Sequence, residues 1–257
     1  MERREFIQKS VLATSAITAA AVSPAFAQQA QDKEVYEWRV YEMTRTQGGF
    51  ENFMSKAFIP ALNRLGVKKV GAFSEMSKAE PVKFYVLIPY SSFADYLKVN
   101  NALKSDKAFL EAATDYNKIP VEQAVYSRFH SSLMIAFDGL PKMIAPANEK
   151  RMFELRTYEG YSEDAVRRKI KMFNDEEFVI FNRVKLNPVF FGEVIAGPNM
   201  PALTYMLTFK NMEERDQNWK AFGGDPDWQR ILKDPQYANT VSKIYKIFLE
   251  PLSYSQI

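Results

Sequence analysis

The sequence predicts an α+β chain built from two copies of one unit that close on each other as a barrel. Two observations predict it. The pattern aromatic-Glu-x-Arg-x-Tyr occurs at Tyr36-Glu37-Trp38-Arg39-Val40-Tyr41 and again at Phe153-Glu154-Leu155-Arg156-Thr157-Tyr158, 117 residues later. The segments that follow each copy then match in order, at offsets between 117 and 120. Each copy reads β-α-β-β-α-β, the ferredoxin-like pattern, which places both helices on one face of a four-stranded antiparallel sheet. The open face of such a sheet must be covered. Two tandem units in one chain can cover each other face to face, as an intramolecular dimeric-type α/β barrel.

The first element is a signal. Residues 1–27 begin with Arg3-Arg4-Glu5-Phe6-Ile7, continue through a mildly apolar stretch rich in Ala, Thr and Ser, and end in Ala25-Phe26-Ala27, a small-x-small cleavage pattern. The arginine pair with a weakly apolar core reads as a twin-arginine signal; the alternative is an ordinary secretory signal with a chance Arg pair. The apolar stretch falls short of the ~20 residues that span a bilayer. The expected location is periplasmic or extracellular, with no membrane attachment after cleavage.

The first unit is expected over residues 34–138. Its opening strand alternates, with Tyr36, Trp38 and Val40 on one face and Glu37, Arg39 and Tyr41 on the other. The apolar set is expected under the helices and the Glu-Arg-Tyr set on the open face. A helix runs from Phe50 to Leu65, kinked or shortened by Pro60. Strands at 70–75 and 84–88, a helix bearing Phe93 and Tyr96, and a last strand at 124–129 complete it. The turn-rich join Asp138-Gly139-Leu140-Pro141 to Pro146-Ala147-Asn148 marks the boundary.

The second unit is expected over residues 151–252. Ser162 is placed to cap a helix that Glu163 and Asp164 open with negative charge. Along it Ile170, Phe173, Glu177, Ile180 and Phe181 keep near-helical spacing, with Glu177 the one polar member. Strands at 189–193 and 203–207, a helix bearing Trp219, and a last strand at 244–249 follow.

Composition excludes much chemistry. With no Cys and one His in 257 residues, disulfides, thiolate metal sites, thiol nucleophiles and multi-histidine sites within one chain are ruled out. The formal charge of +3 is small and its basic residues are interspersed with acids, so no nucleic-acid partner is expected. No phosphate-cradling glycine loop and no G-x-S-x-G elbow is present, which speaks against a nucleotide enzyme or a classical hydrolase. No metal or cofactor is expected.

The candidate ligand-binding residues are Glu37, Arg39 and Tyr41 with their repeats Glu154, Arg156 and Tyr158. An Arg fork beside a phenol can hold a carboxylate or enolate oxygen. The structural alternative is a Glu–Arg pair that stabilises the sheet, since residues two apart on a strand face are neighbours. His130, after the last strand of the first unit, is the third candidate, as a haem axial ligand, a general base or an ordinary strand-end residue. The 20 Phe and 13 Tyr line an apolar pocket or form plain core.

The second copy resembles the NIPSNAP family, which belongs with the dimeric α/β-barrel proteins. The resemblance rests on Phe153–Tyr158, on Thr204–Phe209 with Glu213-Glu214-Arg215 and Trp219-Lys220-Ala221-Phe222, and on Asp225-Pro226-Asp227-Trp228. The first copy keeps Glu37, Arg39 and Tyr41 but has Phe93 and Tyr96 near the place of Trp219. The resemblance implies the barrel fold and no agreed catalytic motif; proteins with that barrel include cofactor-independent monooxygenases and haem-binding proteins. Two expectations stand side by side. One is a barrel whose interior holds a small apolar or aromatic molecule, with cofactor-independent oxygenation as one activity. The other is a non-enzymatic interaction module with a filled interior and a protein partner. A cavity lined by Arg39, Arg156, Tyr41 or Tyr158 separates them.

Overall fold

A computed structural model of the chain describes residues 33–44, 48–77 and 79–257. The signal expected over residues 1–27 lies outside them.

The first half runs β1 (Val35–Met43), a helical stretch of α1 (Gly48–Asn52), a π-helical segment (Phe53–Phe58) and α2 (Ile59–Arg64), then β2 (Gly71–Glu75), β3 (Lys83–Tyr90), α3 (Phe93–Leu103), α4 (Lys107–Ala112), α5 (Thr114–Asn117) and β4 (Tyr126–Ala136). The second half runs β5 (Met152–Glu159), α6 (Glu163–Met172), a second π-helical segment (Phe173–Glu177), α7 (Phe178–Arg183), β6 (Asn187–Ala196), β7 (Ala202–Phe209), α8 (Met212–Gly224), α9 (Pro226–Ile231) and β8 (Lys243–Pro251). Local chemistry fixes the helix starts. Ser92 Oγ accepts the Asp95 amide, Ser162 Oγ the Ala165 amide and Asn211 Oδ1 the Glu214 amide, each satisfying an orphan donor of a first turn. Pro60 neither ends nor shortens the first helical stretch. It falls in the first turn of α2, directly after the π-helical segment, where the regular hydrogen-bond ladder is already broken.

The eight strands of the described residues join one closed antiparallel barrel in the order β1-β3-β2-β8-β5-β7-β6-β4. The two four-stranded sheets meet at their edges, β2 on β8 and β4 on β6, and so close around a shared interior. Every strand contributes apolar side chains to that interior, including Trp38, Phe73, Leu87, Met134, Phe153, Phe190, Met206 and Leu249. Rings meet across it: Phe73 and Phe153 lie 5.0 Å apart, Trp38 and Phe190 6.2 Å. An eight-stranded barrel is just wide enough for side chains to fill.

This corrects the expected facing of the opening strands. Tyr36 and Trp38, with Phe153 and Leu155, point into the barrel, whereas Tyr41 and Tyr158 belong to the two clusters under the helices. Strand alternation gives two faces but not which one turns inward. The interior is sealed by apolar side chains and offers a carboxylate few donors. On the helix side Arg215 and Trp219 of α8 supply them, so the Glu-Arg-Tyr face turns there.

Candidate functional site

On the helix side of β5, Glu154 is fully buried and is held by four hydrogen bonds. Arg156 Nη1 donates to Oε1 at 2.7 Å, Arg215 Nη2 to Oε1 at 3.0 Å, and Arg215 Nε and Trp219 Nε1 each to Oε2 at 2.8 Å. Burial raises the Glu154 carboxyl, but the bonds from Arg215, the charge and bond of Arg156 and the bond from Trp219 outweigh it and hold it below the usual carboxylate range. Arg156 Nε donates to the Tyr158 hydroxyl at 3.2 Å, and Tyr158 and Tyr205 share a hydrogen bond of 2.8 Å. The Arg156 guanidinium also stacks over the Trp219 ring, 4.5 Å from its centroid.

Beside this chain lies a second ion pair. Lys169 Nζ donates to Glu177 Oε1, and both side chains are almost wholly buried. The Lys169 ammonium sits 4.5 Å from the Phe173 centroid, 5.6 Å from that of Trp228 and 5.8 Å from that of Tyr158. Burial pushes the Glu177 carboxyl up, against the opposing pull of Lys169 and Arg156. The π-helical segment makes the pairing geometrically available. Eight residues of plain α-helix turn about 800°, leaving the two side chains about 80° apart. One extra residue in a π turn reduces this to about seven α-helical steps, within about 20° of two full turns.

These groups line a cavity of about 460 Å³ between the second-half sheet and its helices. Its polar wall holds Arg156, Lys169, Glu177 and the Tyr158–Tyr205 pair; its apolar wall includes Trp219, Phe222, Trp228, Ile231 and Ile244. Of the charged groups that line it, two are cations, Arg156 and Lys169, and one is a carboxylate, Glu177; behind the wall Glu154 pairs with both Arg156 and Arg215, and Arg215 also reaches Asp216, which is open to water. The cavity thus offers an acidic group two cationic side chains and an aromatic bed.

The first half has the same strand face without the ion pair. Arg39 binds Glu37 through Nε at 2.7 Å and Nη2 at 3.0 Å, and Glu37 also accepts from Tyr90 and Ser131. Arg39 Nη1 reaches the Tyr41 hydroxyl at 3.4 Å. At an offset of 119 residues, Phe50 and Phe58 stand where Lys169 and Glu177 stand in the second half. Both are buried; Phe50 packs on Tyr41 at 4.7 Å and Phe58 lies under Arg39 at 5.1 Å.

The structure therefore brings Arg156 and Tyr158 to a cavity, but one outside the barrel rather than inside it, with Glu154 buried behind them and holding Arg156. It places Glu37, Arg39 and Tyr41 in the packed first-half layer. His130 lies within β4, not after it, mostly exposed, paired across the sheet with Val40, and its Nε2 is 3.7 Å from Glu42 Oε1. It faces solvent and is no part of the cavity. Of the acidic run Asp175-Glu176-Glu177, the first two pair outward with Lys171 and Arg230 and only Glu177 turns in. Sequence reasoning missed Lys169, Tyr205 and Trp228 as one constellation. Setting the two copies side by side would have found it, because a Lys and a Glu replace two Phe at matching places. Among the described residues no cluster of His, Cys, Asp or Glu is arranged to hold a metal ion, and no helix is long and apolar enough to cross a membrane.

Comparison with known proteins places the fold. A Fusobacterium nucleatum protein described as a "Putative monooxygenase" superposes with a TM-score of 0.59 at 11% identity, over 86% of this chain and 93% of its own. A Lactobacillus acidophilus protein with the same description gives 0.55 at 9%, over 85% and 94%. Identities this low make the likeness one of fold. A NIPSNAP-like domain protein from Burkholderia xenovorans is 20% identical over 41% of this chain and 89% of its own, with a TM-score of 0.37. A search of curated proteins finds no match. The NIPSNAP family model matches residues 153–256, which run from β5 and the cavity's Arg156 past the end of β8.

Proposed function

We propose that this protein binds a small molecule with an aromatic or apolar body and an acidic head, in the cavity between the second-half sheet and its helices. One observation carries the reading: Lys169 and Glu177 occupy positions that the first half fills with Phe50 and Phe58. A buried ion pair contributes little net stability, and exchange for packed apolar residues is often neutral or stabilising by about 1–4 kcal/mol. The first half folds on the same plan without the pair, so folding does not account for its presence. A ligand does: the Arg156 fork and Lys169 meet its acidic head, while Trp228, Phe222 and Ile231 meet its body.

The reading keeps the expected ligand class and moves its place from the barrel interior to the helix side. The same chain is proposed to be exported, on the strength of Arg3-Arg4 and Ala25-Phe26-Ala27. Oxygenation, the activity in the description of the two fold neighbours, is a narrower claim that fold alone does not transfer.

Calorimetric titration with cinnamate, an aromatic carboxylate, tests it, with methyl cinnamate as the uncharged control. Cinnamate is expected to bind and its ester to bind at least about tenfold more weakly, a loss on the scale of one charge-assisted hydrogen bond. In a folded Arg156→Ala variant cinnamate binding is expected to weaken similarly. Equal affinity for acid and ester, or an unaffected Arg156→Ala, would sink the proposal.

A further inference from the structure

The Lys169–Glu177 pair has the parts of a proton-transfer catalyst, and we infer that the cavity interconverts the keto and enol forms of aryl 2-oxo acids. The inference rests on the binding site proposed above and adds a reaction to it.

Three features converge. First, the base and the acid are already joined: Glu177 accepts a hydrogen bond from Lys169, and both side chains are almost wholly buried. Second, Arg156 and Lys169 both lie over one ring, 5.5 and 5.8 Å from the Tyr158 centroid, and both line the cavity, which gives it two cations for two oxygen centres of one ligand. A 2-oxo acid presents that pair, a carboxylate next to a carbonyl. Third, the aromatic wall of Trp228, Phe222 and Trp219 suits an aryl group one carbon further along.

The step balances without a further reactant. Glu177 takes a proton from C3; the C3–H electron pair becomes the C2=C3 double bond; the carbonyl π pair moves onto oxygen, which takes a proton from the Lys169 ammonium. Glu177, now protonated, returns a proton to the neutral Lys169 amine through the hydrogen bond the two already share. The net change is one proton moved from carbon to oxygen, and the reverse path runs through the same atoms. Arg156 holds the carboxylate throughout. Burial pushes the Glu177 carboxyl up, which strengthens it as a base toward carbon. The Tyr205 hydroxyl is held well above its ordinary range, by burial first and then by Tyr158, so it stays a neutral donor. The first half, with Phe50 and Phe58 in these places, has neither acid nor base there.

The test uses phenylpyruvate and the whole protein. Loss of enol absorbance and exchange of the C3 hydrogens in heavy water, followed by nuclear magnetic resonance, read the same step. Wild type is expected to accelerate both by at least about 100-fold over Glu177→Gln, the low end for a positioned general base. Glu177→Gln is expected to keep its fold and to bind cinnamate at least as tightly as wild type, since the amide still accepts from Lys169 and a negative charge beside the acidic head is gone. Lys169→Met is the second variant and is expected to lose the acceleration as well, while the exposed His130→Ala keeps it. Bound phenylpyruvate that exchanges no faster on wild type than on Glu177→Gln overturns the reaction and leaves the binding site standing. Binding of cinnamate without binding of phenylpyruvate also overturns it, while the site again survives. Failure of both acids to bind overturns the two together.

Discussion

Trp219 Nε1 donates to Glu154 Oε2 at 2.8 Å, and that bond ties the helix walling the cavity to the strand flooring it. Glu154 also anchors Arg156 and Arg215, so one carboxylate sets the position of the cationic fork, the tryptophan face it stacks on and the start of α8. The cavity is shaped from Glu154 outward.

Glu154→Ala is therefore expected to destabilise the protein by about 3–5 kcal/mol, because it leaves two guanidinium groups without their buried counter-charge. Urea unfolding measures it. The matched first-half change, Glu37→Ala, removes the partner of one arginine only and is expected to cost less.

The two buried glutamates are expected to pull stability in opposite directions with pH. Glu154 is held below its ordinary value of 4.5, so its contribution is complete above pH 4.5 and is lost as pH falls through the lower, folded value. Glu177 is pushed above 4.5 by burial, with Lys169, Arg156 and Tyr205 facing it. Its charged form is penalised above the folded value, and the penalty is relieved as pH falls toward 4.5. Unfolding free energies taken from about pH 8 to about pH 3 should show Glu154→Gln flattening the acid loss and Glu177→Gln removing the gain that precedes it. Parallel curves for wild type and both variants would contradict the assignment.

Replacing Arg3 and Arg4 with lysine is expected to trap the precursor inside the cell. The pair is what distinguishes a twin-arginine signal from an ordinary secretory one. Fractionation reads the outcome, and unimpaired export of the lysine variant would assign the signal to the other route.

Much of the fold was legible because its signals are periodic. Alternation at Tyr36–Tyr41 and Phe153–Tyr158 marks the strands, the order of segments marks the βαββαβ unit, and Ser162 with Glu163 and Asp164 marks a helix start. Which face turned inward was not legible, because period-two alternation is symmetric and the deciding donors, Arg215 and Trp219, lie 61 and 65 residues from Glu154. Half of the site was legible for the same reason: Glu154, Arg156 and Tyr158 share a strand face. Lys169 was not, because a π-helical segment shifts the helical phase and brings it to Glu177 from a position that regular spacing assigns elsewhere. His130 stood out only for being a lone histidine, and rarity is not position.

The central claim is that Lys169 and Glu177 serve a ligand rather than the fold. The double variant Lys169→Phe/Glu177→Phe writes the first half's solution, Phe50 and Phe58, into the second half. Unfolding and cinnamate titration on that one protein test the claim directly. The account predicts stability equal to or above wild type, by up to about 4 kcal/mol, and loss of cinnamate binding. A double variant that still binds cinnamate as wild type does, or that fails to fold, would contradict it.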